Sequence, residues 1–434
     1  MKKVGVLLLT FLLLLSLTAC GKKEEPVVDA NDPAVAEVGG VKIKKSEAEP
    51  LYDALVKQTV LMYQQQNRSI PDITSPEFIT EAKMQTINGM AEQLALEQGL
   101  APLGLSLTDA ELADIRATSQ SEYDEIIANF MQLHDMSEKE AQENADLAGY
   151  TIDMLEFSYR GTKVYDKLQE HYTANMTVTE EELFAEYDAL IESQKQDYAA
   201  NKSQYIADVL SNYIVAVRPE GFRTVKNLII RMPEELGNEV GGLEQQLDYV
   251  KAEVEKTEMT LESDELTEEQ RTERQQHLEE GNALVVTLSV ELENKMNEAL
   301  AQIQQQSEEV LALCKAPGAD FDALMQEYSA EVPTAKELLD GYPVHEGAVG
   351  YVPTFTEGAM ALEKIGDISD LVPSSYGYHI LKYETDVVPG VVPLEELQGE
   401  LESALLESKK AAAMNDAVTQ IFSEVDIKTY LENF

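Results

Sequence analysis

The chain has 434 residues, more than one hydrophobic core usually holds, so its length predicts two or three domains. Hydrophobic residues are 44% and charged residues 26%, which excludes a largely disordered chain. Against 33 Lys and Arg stand 80 Asp and Glu, a formal net charge of −47 that would repel phosphate and excludes nucleic acid as the main partner.

Lys2 and Lys3 precede an apolar run from Val4 to Leu17. The run is short for a bilayer span and has the layout of a secretory signal peptide. It ends in Leu17-Thr18-Ala19-Cys20-Gly21, which resembles a bacterial lipobox. That resemblance implies a leader over residues 1–19 and a diacylglyceryl group on Cys20; a plain signal peptide with an incidental Cys is the alternative. Two acyl chains suffice for stable anchoring, so the expected location is the outer face of a bacterial cell membrane. Residues 20–34 then read as lipidated Cys and flexible linker. With Cys20 lipidated, Cys314 has no partner for an internal disulfide.

Val35 to Ile43 reads as a strand, a Gly39-Gly40 turn and a second strand, with Ser46 as the next helix cap. From there to Tyr213 the pattern is mainly helical. Leu94 to Gly104 ends one helix, Thr108 to Glu111 opens the next as a capping box, and Thr177 to Tyr187 opens another. The Tyr, Leu and Met at helical spacing read as core. Thr224 to Arg231 changes character: it is β-rich and apolar on both faces, as in an inner strand.

An insertion follows. Leu236, Val240, Leu243, Leu247, Val250, Val254, Thr257 and Leu261 alternate spacings of four and three, a heptad stripe. Ser263 to Gln270 reads as a turn with a new cap. Val285, Leu288, Leu292, Met296, Ala299, Ile303 and Val310 lead back on a looser stripe. The pattern predicts an antiparallel helical hairpin over about 234–305, with arms of roughly 40 Å at 1.5 Å per residue. Farther on, Ser375 to Tyr383 alternates as a strand with His379, Leu381 and Tyr383 on one face. Asp386 to Pro393 is a linker, and Leu394 to Phe434 returns to a helical pattern.

Several of these segments resemble a known family. "ADFDALMQEYS", "GAVGYV", "GDIS" and "SSYGYHILKYE" resemble the successive motifs of parvulin-type peptidyl-prolyl isomerases, and "TVKNLIIRM" resembles their opening strand. "VAEVGGVKIKKSE" and "VTEEELFAEYDAL" resemble the flanks of SurA/PrsA-like foldases. The resemblance implies an α+β fold: a mainly helical chaperone domain from both chain ends and a small parvulin-like domain carrying the hairpin. The expected boundaries are 35–218, 219–386 and 387–434.

An X-Pro bond resists rotation by about 18–20 kcal/mol. Accelerating it takes an apolar slot for the proline ring and a polar wall that favours the twisted amide. Parvulins resemble one another in a facing pair of histidines, an Asp or Cys beside them, and Met and Phe in the slot. His379 matches the second histidine. Asn227 stands where the first belongs and can hydrogen-bond but not carry charge. Glu331 falls near the Asp/Cys position, Phe355 matches the slot Phe, and Met360 or Tyr351 stands in for the slot Met. Each also has a plainer reading as a core or loop residue. No spacing predicts a metal site or a cofactor loop. The implied activity is membrane-anchored extracytoplasmic folding of unfolded or newly secreted polypeptides by prolyl isomerisation. The alternative is a non-catalytic holdase with a degenerate parvulin-like domain. The sequence does not set the oligomeric state.

Overall fold

The computed structural model describes residues 32–66, 68–134, 136–261, 266–331, 334 and 340–434. The predicted leader, Cys20, the linker up to 31 and the hairpin turn at 262–265 lie outside the described residues. Among the described residues, no helix is long and apolar enough to cross a membrane. Contacts divide the chain into two units: residues up to Met176 with Glu407–Phe434, and Thr177–Leu406.

The first unit joins the chain's two ends in one sheet. Strands β1 (Ala34–Val38) and β2 (Val41–Lys44) pair antiparallel around Gly39 and Gly40, whose φ values of 54° and 85° suit a tight turn. The last strand of the chain, at Ile427–Thr429, pairs with the other edge of β1. Helix α1 (Lys45–Gln65) begins at a cap on Lys44, whose backbone N–H donates to Glu47 at 2.7 Å. Ser46 is therefore inside the first turn rather than its cap, and its hydroxyl donates to Asp32 at 2.8 Å. Helices α2 (Pro76–Gln98), α3 (Asp109–His134), α4 (Glu138–Leu147) and α5 (Ile152–Thr173) complete the set, with the Thr108 cap as predicted. Leu100, Val164 and Leu168 of this unit close over Met414 and Ile421 of the terminal helical segment.

The second unit is built on a four-stranded antiparallel sheet. Its opening strand is β4 (Arg223–Arg231), after a short β3 (Val217–Arg218). Then come β5 (Tyr342–Val344), β6 (Val372–Ser374) and β7 (Gly377–Asp386), in the spatial order β5-β4-β7-β6. The sequence's inner strand is thus an inner strand, paired along its length with β7. Its two faces bury different cores. Leu228, Ile230 and Ile380 meet one helical layer, while Val225, Leu381 and Tyr383 meet Phe355, Ala359 and Leu362 on the other.

The insertion leaves after β4 as α8 (Glu234–Leu261) and returns as α9 (Glu268–Cys314). Three contacts fix an antiparallel register. Lys295 lies 2.8 Å from Glu239, Gly281 stands against Val254, and Arg271 donates to the Leu261 carbonyl at 2.9 Å. The return helix does not stop near 305, the bound predicted for the hairpin. It runs unbroken for 47 residues, about 70 Å at 1.5 Å per residue. Its last part buries Ala299, Leu300, Ile303, Val310 and Cys314 against the sheet, with Phe321 and Met325 of α10 (Phe321–Tyr328) beside them. The arm is therefore a continuation of a core helix.

The boundary near 218 suggested by the sequence falls instead at Met176/Thr177. Helices α6 (Glu180–Ala200) and α7 (Ser203–Leu210) supply Ile191, Tyr198, Tyr205 and Ile206 to a core shared with Val217, Phe222 and Ala348. Gln194 ties them further, accepting from the Ala216 and Val217 amides at 2.8 and 3.0 Å. The C-terminal boundary falls at Leu406/Glu407 instead of 386/387, because β8 (Gly390–Val391) pairs with β3 and Leu397 packs on the same core.

Candidate active site

The site forms where β4 and β7 lie side by side. Asn227, Leu381, His379 and Ile229 share one face, because side chains alternate along each strand. Ile229 stands directly across from His379, and Asn227 lies diagonally, across from Leu381. The diagonal brings the Asn227 Oδ1 to 3.0 Å from the His379 Nδ1, although the residues are separated by the whole arm. The other ring nitrogen, Nε2, lies 2.8 Å from the Ser374 hydroxyl. With Oδ1 facing the ring, Nδ1–H donates to Asn227 and Ser374 O–H donates to Nε2, a neutral imidazole with both nitrogens engaged.

Ser374 is held in turn. Its oxygen accepts the Tyr376 amide at 3.1 Å, in the turn between β6 and β7. Gly377 opens β7 at φ 144°, and a Cβ there would lie 2.1 Å from the Ile230 carbonyl oxygen, so only glycine lets the strands meet here. Periodicity in the sequence does not mark Ser374. Its signal was available in the spacing: a short turn folds Ser374 back opposite Gly377, two residues from the histidine.

His379 is only 5% exposed. Burial drives its pKa down to about 4; the Glu331 carboxylate opposes this and the Arg231 guanidinium adds to it. Its ring meets the edge of Phe355 at 5.6 Å between centroids, and Phe355 stacks at 5.0 Å on Tyr351. Tyr342 closes the aromatic group, 6.3 Å from Phe355. The Tyr351 hydroxyl donates to the Pro343 carbonyl at 3.1 Å, and burial pushes its pKa up. Helix α11 (Pro353–Met360) carries Phe355 inward and leaves Met360 partly buried at its end, packed on the same core. Tyr351, Phe355 and His379 therefore come together, and Met360 borders them.

Glu331 does not touch the imidazole. Its carboxylate pairs with Arg231 at 2.5 Å, and both side chains are about half exposed. The preceding residues explain its place: Ser329 and Ala330 bond to Ile229 on the side of β4 that β5, paired only with Arg223–Val225, leaves open, and carry Glu331 toward the end of that strand. Among the described residues, no other histidine side chain joins the group. His345 instead contacts Ser203 at 3.3 Å and the Glu346 carbonyl at 2.8 Å, in the core beneath α7.

Chemically, this group is a rigid aromatic and imidazole floor rather than an acid–base pair. A neutral histidine with both nitrogens occupied holds its ring in place and exchanges no proton near neutral pH.

Residues 287–385 match the PPIC-type PPIase domain, or rotamase, family. The match begins inside α9 and so omits β4, the strand that supplies Asn227. The chain is 36% identical over 116 residues to the foldase protein PrsA of Caldanaerobacter subterraneus subsp. tengcongensis, covering 27% of this chain and 36% of that protein. It is 31% identical over 202 residues to the foldase protein PrsA of Oceanobacillus iheyensis, 46% of this chain and 59% of that one. A 24% identical stretch of 283 residues aligns with the foldase protein PrsA of Halalkalibacterium halodurans, 65% of this chain and 73% of that one. The alignments thus span between about a third and three fifths of the first two relatives.

Proposed function

We propose that this PrsA-like chain, with its parvulin-type domain, is an extracytoplasmic foldase that accelerates cis–trans isomerisation of X-Pro bonds in unfolded or newly secreted polypeptides. Its lipid anchor would be Cys20. The observation that carries the reading is the Asn227–His379–Ser374 network under Phe355, in which His379, Ser374 and Phe355 lie within the stretch matched as a rotamase.

The residues divide the work as follows. Phe355, Tyr351, Tyr342 and Met360 supply apolar surface for the proline ring. Asn227 and Ser374 fix the imidazole, so that the floor beneath the amide does not reorganise as the bond twists. The barrier falls because the site favours the twisted amide over the planar one, with no covalent step. The Arg231–Glu331 pair is the charged pair whose field reaches the imidazole.

A second reading is favoured by one observation. Phe355 is 4% and His379 5% exposed, so the ring surfaces are closed over. A domain that stays closed would dock polypeptide without speeding isomerisation. The experiment uses the full chain, with a Pro-containing peptide and time-resolved NMR or protease-coupled detection. The foldase reading expects a rate above the uncatalysed one, lowered by Phe355→Ala. A rate equal to the uncatalysed one, with client aggregation still suppressed, selects the holdase.

A further inference from the structure

We infer that the flank of the α8/α9 arm between Tyr249 and Leu284 is a docking groove for cationic, leucine-bearing polypeptide segments. The idea deepens the foldase reading and rests on it only for the origin of the polypeptide. A coiled hairpin needs apolar residues on its mutual stripe, and here that stripe includes Val240, Leu247 and Leu288. Tyr249 lies off the stripe and is 68% exposed, and Leu284 is 46% exposed. With Val250 and Leu288 they line an open groove of about 450 Å³, walled by Gln245 and Gln246. Glu253 stands one turn beyond Tyr249, and Glu280 one turn before Leu284.

The occupant follows from charge. Between Glu234 and Glu298 there are 19 Asp and Glu against 5 Lys and Arg. A second copy of the arm, or an anionic lipid surface, would bring like charge against like charge. A segment with Lys or Arg flanking Leu-sized side chains matches both the carboxylate rim and the apolar floor. The groove lies on the arm, outside the prolyl site, so it would hold the polypeptide while a proline is turned elsewhere.

The test uses the full chain and a fluorescein-labelled peptide of about 14 Leu and Lys residues, read by anisotropy. Binding is expected to weaken about tenfold or more in Tyr249→Ser/Leu284→Ser, and comparably when salt rises from about 50 to 300 mM. A photo-crosslinking version of the peptide should label α8 or α9. Both substituted side chains are exposed, so the circular dichroism melt should be unchanged. Should that melt change, the crosslinking result on the unaltered chain decides. The inference is overturned if the double variant binds as the parent does, if an uncharged Leu/Ser peptide binds equally well, or if crosslinks fall outside the arm. It is also overturned if sedimentation shows the patch joining two copies, or if the patch instead binds zwitterionic vesicles. A chain that binds the peptide without accelerating isomerisation removes the foldase reading alone. One that accelerates it without binding removes this inference alone.

Discussion

The Asn227 side-chain oxygen and the His379 Nδ1 are 3.0 Å apart, across a strand pair whose members are 152 residues apart in sequence. This bond joins the start of the small domain to its end across the inserted arm. Replacing Asn227 by Ala leaves a buried N–H without a partner, which costs about 1–3 kcal/mol. Urea unfolding followed by hydrogen exchange of the β4 and β7 amides should show that loss in the second unit. Amides of α2 and α5, in the first unit, should keep their protection. Equal protection of β4 and β7 in parent and variant would show that the bond contributes nothing.

The imidazole predicts a pH dependence. Its pKa in the folded chain, about 4, lies below the ordinary value near 6.5 because burial disfavours the charged ring. Between those values the unfolded chain holds more protons than the folded one, so stability rises with pH through this window. The contribution is complete above about pH 6.5, is lost as pH falls toward 4, and amounts to about 3 kcal/mol. NMR signals assigned by their absence in His379→Gln should report a neutral ring down to about pH 4.5. The stability gap between parent and variant should narrow over the same range. Parallel stability curves for the two proteins would sink the prediction.

What the sequence showed and what it hid have physical causes. Alternation is a strong signal on a half-buried strand, so the pattern alone places His379, Leu381 and Tyr383 on one face. The apolar run of β4 likewise marked an inner strand. Hydrogen-bond partners set by a turn carry no periodicity, which is why Ser374 escaped notice. The position of Glu331 after Ser329 suggests a place beside the histidine, but the bonds of Ser329 and Ala330 to Ile229 carry it to Arg231 instead. The end of the arm was misplaced because one helix serves two partners: a heptad stripe toward α8 grades into a wider apolar face on the sheet without a break. The strand at Ile427–Thr429 is three residues long, too short for any pattern to show.

Gly377 sits at φ 144° with its Cα against the backbone of β4. An added methyl would meet the Ile230 carbonyl oxygen at 2.1 Å and the Arg231 Cα at 2.9 Å, neither of which can move aside like a side chain. Gly377→Ala should cost about 3 kcal/mol or more, combining steric overlap with backbone strain. It should also displace His379, two residues on, and raise its NMR-measured pKa as the ring gains water. The comparison is Gly366→Ala, also at positive φ but with nothing within 4 Å, which should lose less. Equal losses at the two positions would assign the cost to φ alone.

The continuity of α9 dictates how the arm can be removed. A cut over 236–305 would take Val240, Ala299, Leu300 and Ile303 out of the core on the helical side of the sheet. Losing a buried Leu or Ile costs about 2–5 kcal/mol each in well-packed interiors, so that version should not fold. The Glu239–Lys295 contact fixes which residues face each other, and by that register Leu243 lies near Glu291. Replacing 244–290 with a short Gly-Asn linker therefore removes the outer arm, with Tyr249 and Leu284, and leaves the core intact. The shortened chain should keep the protection of β4 and β7 amides and its rate on a short Pro peptide. Its affinity for the Leu/Lys peptide should fall about tenfold or more, as in the double variant. Full retention of peptide affinity would place the docking surface elsewhere in the chain, whereas loss of the short-peptide rate would make the outer arm part of the isomerase itself.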